Sequence, residues 1–196
     1  MTGSQAFSMN NWVKIKRGFF ASIFSAFADL DASTSEQFEI RKKESQLLPL
    51  LYFTCLMLLL SQLIQVTSQV RETPYLSVVT AVIVSYIFFL PIFIYVLSFL
   101  FHLVLKVFGA ISSSFQTRLA VFWSLAISTL IILITSVTKI FISGTTEFFV
   151  VFLSELAVVY IFSRILGFVS SFKDRNLFTL VMISFYLIPF ILINFS

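Results

Sequence analysis

Five stretches of the chain are predominantly apolar over about 20 residues, the length that crosses the hydrocarbon core of a bilayer. They cover residues 47–66, 75–105, 119–142, 148–168 and 177–195. Pro49 is tolerated in the opening turn of the first. The second is longer than a crossing needs and carries Pro91 near its middle, which predicts a kink or a strong tilt. Short polar connections at residues 71–74, 111–117, 143–146 and 170–176 separate the stretches. The pattern predicts an all-α, polytopic transmembrane helix bundle with five spans.

The region ahead of the spans has another rhythm. Residues 1–10 are polar. From Asn11, the residues Trp12, Ile15, Phe19, Ile23, Phe27 and Leu30 recur at three- or four-residue steps, with Phe20 and Ala26 flanking them. On a helix these form one apolar face. Lys14 and Arg17 lie away from it, and Lys16 snorkels from its edge. The segment is too charged to span, and it fits an N-terminal amphipathic helix lying in the membrane interface, its cations among anionic headgroups. The same face could also pack on the cytoplasmic side of the protein itself. Residues 29–35, DLDASTS, predict a break, with Ser33 and Glu36 as a capping box. A second short helix over 36–44 would then carry Arg41, Lys42 and Lys43 to the membrane surface as a topology anchor. The chain divides accordingly into a cytoplasmic segment, 1–44, and a transmembrane domain, 45–196.

Composition agrees with the pattern. Only 11% of the 196 residues are charged, against about 25% in soluble domains, and the mean hydropathy is +1.02. The 26 Phe would aggregate in water and are ordinary against lipid. The first forty residues lack an apolar signal core and a small-residue cleavage site, so the first span is expected to drive insertion. Charge placement sets the expected orientation. With five spans, Lys14, Lys16, Arg17, Arg41, Lys42, Lys43, Lys106, Arg118, Arg164, Lys173 and Arg175 share one side, and only Arg71 and Lys139 lie on the other. That asymmetry predicts a cytoplasmic N-terminus and an outside C-terminus.

At residues 101–123, His102, Lys106, Gly109, Ser114-Phe115 and Trp123 form a pattern that resembles the Yip family of Ypt/Rab-GTPase-interacting proteins, in its bacterial branch. Members have a cytoplasmic N-terminal segment followed by five closely spaced membrane helices. In bacterial members the second span ends in a His- and Lys-bearing stretch, then a Gly-containing turn with Ser-Phe, then an aromatic-rich span with Trp near its start. This chain departs from the pattern at Ala110, where a second Gly is usual, and it lacks the acidic and Gly-Tyr motifs of eukaryotic members. The resemblance implies the five-span fold and a bacterial inner-membrane location. It carries over no biochemical activity.

Candidate chemistry is sparse. His102 is the only His and Cys55 the only Cys, which excludes a disulfide framework and multi-cysteine metal sites. No phosphate loop or nucleophile elbow is present, so no catalytic residue, cofactor or metal is expected. Lys106 and Arg118 are expected at phosphate headgroups. Intramembrane charge is costly and usually has a role, which singles out Glu155. Lys139, at the outer end of the preceding span, is within reach of it as a helix–helix clamp, and a protonatable site lining a cavity is the other reading of Glu155. Gln62, Gln65 and Gln69 form a polar stripe with Ser61 and Ser68, expected to act as helix-packing glue. Ala120, Ser124 and Ser128, and also Ser163 and Gly167, allow close helix approach.

These features predict a non-enzymatic membrane scaffold or interaction protein, an accessory subunit docking on a larger membrane complex. The expected partners are anionic lipid headgroups and another integral membrane protein, with no nucleic acid. A small transporter or channel using Glu155 and the Gln62/Gln65/Gln69 stripe is the alternative, although no internal repeat supports it.

Overall fold

The structure is a computed structural model and describes residues 18–69 and 75–195. Helices α1 (Phe19–Ala26) and α2 (Leu30–Ile40) lead through a 3-10 turn, Glu44–Gln46, into α3 (Leu47–Gln69). Then follow α4 (Tyr75–Val84), a π-helical turn (Ser85–Phe89), α5 (Leu90–Val107), α6 (Ser114–Thr138), α7 (Thr145–Val169) and α8 (Arg175–Phe195). The described residues contain no strand. Five helices are long and apolar enough to cross a membrane: Glu44–Thr67, Tyr75–Val107, Ser114–Thr138, Thr145–Val169 and Arg175–Leu192. This is an all-α polytopic bundle.

The third span sits earlier along the chain than its apolar residues suggest. Ser113 Oγ accepts from the Gln116 N–H, and Gln116 Oε1 accepts from the Ser113 N–H. This capping box starts α6 at Ser114, and the helix ends at Thr138, short of the expected 142.

Helix α6 is the centre of the bundle. It packs on α3, α5 and α7, and α8 packs on α7. Over half of its most apolar window is buried (56%), against 6% for α8. Ala120, Ser124 and Ser128 are fully enclosed, because small side chains let neighbouring backbones come close where lipid offers no hydrophobic drive. Phe88, Phe89, Phe93 and Phe185 point outward, as suits helices solvated by hydrocarbon.

The irregularity expected at Pro91 takes the form of a π turn. Pro91 lacks an N–H, and its ring would strike the carbonyl of Ile87 in a regular helix. In the turn just before it, the Leu90 N–H reaches back to the Ser85 carbonyl, one residue further than an α-helix allows.

The N-terminal helices depart most from expectation. Residues 29–35 are not a break, because α2 begins at Leu30. Asp29 Oδ1 accepts from the Ala32 N–H at 2.9 Å and caps the helix. The chain turns only at Phe27-Ala28. Ser33 lies inside α2 rather than at a cap, so the Ser33–Glu36 box does not form. Its Oγ donates to the Ser22 carbonyl of α1, and Ser33, Thr34 and Gln37 are buried. The helix stops at Ile40, before the expected 44. A polar face can be buried here because it rests on helix ends and connections, where polar groups seek partners.

In α1 the single expected apolar face is divided. Ile23 and Ala26 are fully enclosed in the core cluster that contains Leu47 and Trp123. Phe19 meets Phe53 edge-on at 4.7 Å. Phe27 turns outward instead, with Phe20 and Phe24. The helix thus packs on the bundle and offers a second apolar side to its surroundings. Trp12, Lys14, Ile15 and Arg17 lie outside the described residues.

Candidate functional site

The turn between α5 and α6 is built by local geometry. Gly109 adopts φ +83°, its N–H donates to the Lys106 carbonyl, and the Ala110 N–H donates to the Leu105 carbonyl. This is a Schellman ending, with buried Leu105 and Ala110 as its apolar contact. His102 Nδ1 lies 3.2 Å from Thr117 Oγ1, which Ser112 Oγ also meets at 3.2 Å. Phe115 packs on the core and Trp123 is fully enclosed. His102, Gly109, Phe115 and Trp123 therefore shape and close the hairpin. Lys106, one helical turn further on, stays exposed.

Arg118, expected at headgroups, is engaged within the protein. It pairs with Glu44 just ahead of α3, donates to Ser114 Oγ at 2.9 Å and lies over the Tyr95 ring at 5.4 Å. Its side chain keeps 15% of its exposure. Placed in the first turns of the central helix, it looks across the bundle rather than along its axis. Arg41 is likewise drawn inward, over Phe19 at 5.9 Å, and burial lowers its pKa below the ordinary arginine value. Lys42 and Lys43 remain exposed.

A second ionic group holds α2 to the bundle. Arg175, at the start of α8, donates to Asp31 at 2.9 Å, and Arg164 near the end of α7 stands 3.9 Å from the same carboxylate. Arg164 also donates to Asn176 at 3.0 Å. The Ile111 N–H reaches the Ser170 carbonyl at 3.4 Å, so the second and fourth connections lie side by side under α2. Sequence reasoning passed over Asp31. An acid in the first turn of a helix, among neighbours rich in Lys and Arg, was the available signal.

Within the spans, Lys139 pairs with Glu147 at 3.5 Å, not with Glu155. Lys139 caps the end of α6 and Glu147 lies in the first turn of α7, so they face each other across their own hairpin. Glu155 is two turns deeper. It accepts from the Tyr186 hydroxyl of α8 and is exposed on the outer wall of α7. By helical rise it lies roughly 15 Å from the start of α7, near mid-depth. Phe148, Phe152 and Phe190 stack beside Tyr186.

The polar stripe works between α3 and α6. Ser61 and Gln65 both hydrogen-bond Ser136 Oγ, the Gln65 contact at 2.9 Å. Gln62 is half-buried, and the side chain of Gln69 lies outside the described residues. Glu155 and Gln65 are paired in different helix–helix seams, so the structure does not gather them along one path. Cys55 is buried. Among the described residues, no three His, Cys, Asp or Glu side chains stand close enough to hold a metal ion.

Comparison of the chain with protein-family models, with curated proteins and with solved structures finds no match.

Proposed function

We propose that this protein is a non-enzymatic membrane scaffold, an accessory subunit that docks through α7 and α8 on a larger integral membrane complex. One observation carries the reading. Glu155 sits near mid-depth on the outward wall of α7, with Tyr186 as its hydrogen-bond donor. A carboxylate facing hydrocarbon is costly, and a neighbouring transmembrane helix that brings a further donor removes the cost. The sparse burial of α8 leaves room for such a neighbour. The Yip-like pattern around Gly109 and the one-sided distribution of Lys and Arg support a bacterial inner-membrane location. In this reading the N-terminus is cytoplasmic and the C-terminus outside. Anionic headgroups then meet Lys106 and the first helix.

Crosslinking in native membranes followed by mass spectrometry tests the proposal. Crosslinks from α7 and α8 to a second integral membrane protein, and its stoichiometric co-isolation in mild detergent, are expected. Glu155→Ala should remove both while the protein stays folded. A chain that is always alone and monomeric, with no crosslink from either helix, overturns the reading.

A further inference from the structure

Three cations meet at one open groove beneath α2. Arg164, Lys173, Arg175 and Asn176 line it together with Asp31 and Asp174, around a cavity of about 540 Å³. Three positive charges against two negative leave a net charge of +1 among these side chains. One oxygen of Asp31 serves both guanidiniums, at 2.9 Å from Arg175 and 3.9 Å from Arg164. The second distance is beyond hydrogen-bond reach. Lys173 is exposed on the rim. Arg175 is braced against the Phe168 ring at 5.2 Å, which holds its fork at the groove. The groove lies where α7 ends and α8 begins, so helices crossing a membrane hold it at headgroup depth.

We infer that the Arg164–Lys173–Arg175 groove binds the phosphate monoester of an anionic lipid headgroup, which displaces Asp31 and loosens α2 from the bundle. Asp31 is the internal occupant when no such lipid is bound. A phosphate monoester offers three strong acceptor oxygens and more than one negative charge. Two arginine forks and an ammonium satisfy that set better than they satisfy one carboxylate oxygen. The exchange removes the ionic tether between α2 and helices α7 and α8. The inference needs no protein partner and stands apart from the docking role of Glu155.

The test uses the full-length protein in phosphatidylcholine nanodiscs, alone or with phosphatidic acid, or with phosphatidylglycerol matched in charge. Retained lipid is read by native mass spectrometry and the hold on α2 by amide hydrogen exchange. Phosphatidic acid should be retained and should speed exchange across Leu30–Ile40, and phosphatidylglycerol should do much less of both. Arg164→Gln and the surface change Lys173→Gln should each weaken phosphatidic acid binding about tenfold. Asp31→Asn should tighten it and speed α2 exchange without lipid, whereas Glu36→Gln, the same charge change on the same helix, should not. Equal response to phosphatidylglycerol overturns the proposal, since charge alone would suffice. The same loosening by inorganic phosphate in phosphatidylcholine nanodiscs overturns the lipid assignment. Asp31→Asn binding no tighter than Glu36→Gln overturns the displacement.

Discussion

Arg118 in the first turns of α6 and Glu44 just ahead of α3 form an ion pair that ties the central helix to the entry of the first span. The arginine is mostly enclosed and the carboxylate is half exposed. Glu44→Ala leaves the guanidinium with only Ser114 and the Tyr95 face, at an expected cost of about 1 kcal/mol once solvent screening of Glu44 is counted. A double-mutant cycle with Arg118→Gln, read as thermal unfolding in detergent, should show favourable coupling. Strict additivity of the two changes would show that the pair is decorative.

Gly109 has φ +83° and open space around the position of a Cβ. A substitution there meets backbone strain without any clash. Gly109→Ala should destabilise by about 1 kcal/mol. Gly109→Asn should cost less, because Asn tolerates the left-handed region. Equal melting temperatures for the three proteins would contradict the Schellman ending.

Gly167 presents the other case, a glycine with ordinary backbone set close against a neighbouring helix. A Cβ at this position would stand 3.2 Å from Cδ1 of Phe178 on α8. Gly167→Ala should be absorbed by a small shift of the Phe178 ring. Gly167→Leu should part α7 from α8 and cost about 1–3 kcal/mol. Cysteine crosslinking between the two helices would register the separation.

Ser136 serves both Ser61 and Gln65. Ser136→Ala removes that shared partner and should cost about 1 kcal/mol. Ser61→Ala in the Ser136→Ala background should then have little further effect, because its partner is already gone. Thermal melts of the four combinations decide the matter.

The two sides of α1 should report different surroundings. A cysteine at Phe24 should react with a polarity-sensitive thiol probe and be quenched by brominated acyl chains, as an interfacial side chain would be. A cysteine at Ile23 should resist labelling, since that position is fully enclosed. Quenching absent at position 24 would mean that protein or water, not lipid, lies against this side.

How much of this was legible in the sequence follows from the kind of signal each feature leaves. Spans announce themselves by length and apolarity, and Pro91 announces the irregularity beside it. The Ser61 and Gln65 contacts were legible because polar side chains in hydrocarbon must find partners. Helix α2 was not, because its buried face is Ser33, Thr34 and Gln37, and hydrophobic periodicity is blind to a polar face resting on polar helix ends. The partner of Lys139 depended on depth and rotation. Glu147 and Glu155 stand about two turns apart on α7, and only the seating of the hairpin selects between them. The start of α6 was legible in principle. Ser113 and Gln116 hold the capping spacing, but they lie ahead of the apolar run that defines the span.

The π turn at Ser85–Phe89 gives the second span a phase joint. One extra residue in a helical turn rotates everything beyond it by about 100° relative to an unbroken helix. The outward faces of α4 and α5 are therefore offset from each other by that rotation. A scan of substitutions along this span should show two periodic patterns, each regular and mutually offset. Losing a single residue inside the turn should shift α4 alone, while α5 keeps its seat on α6.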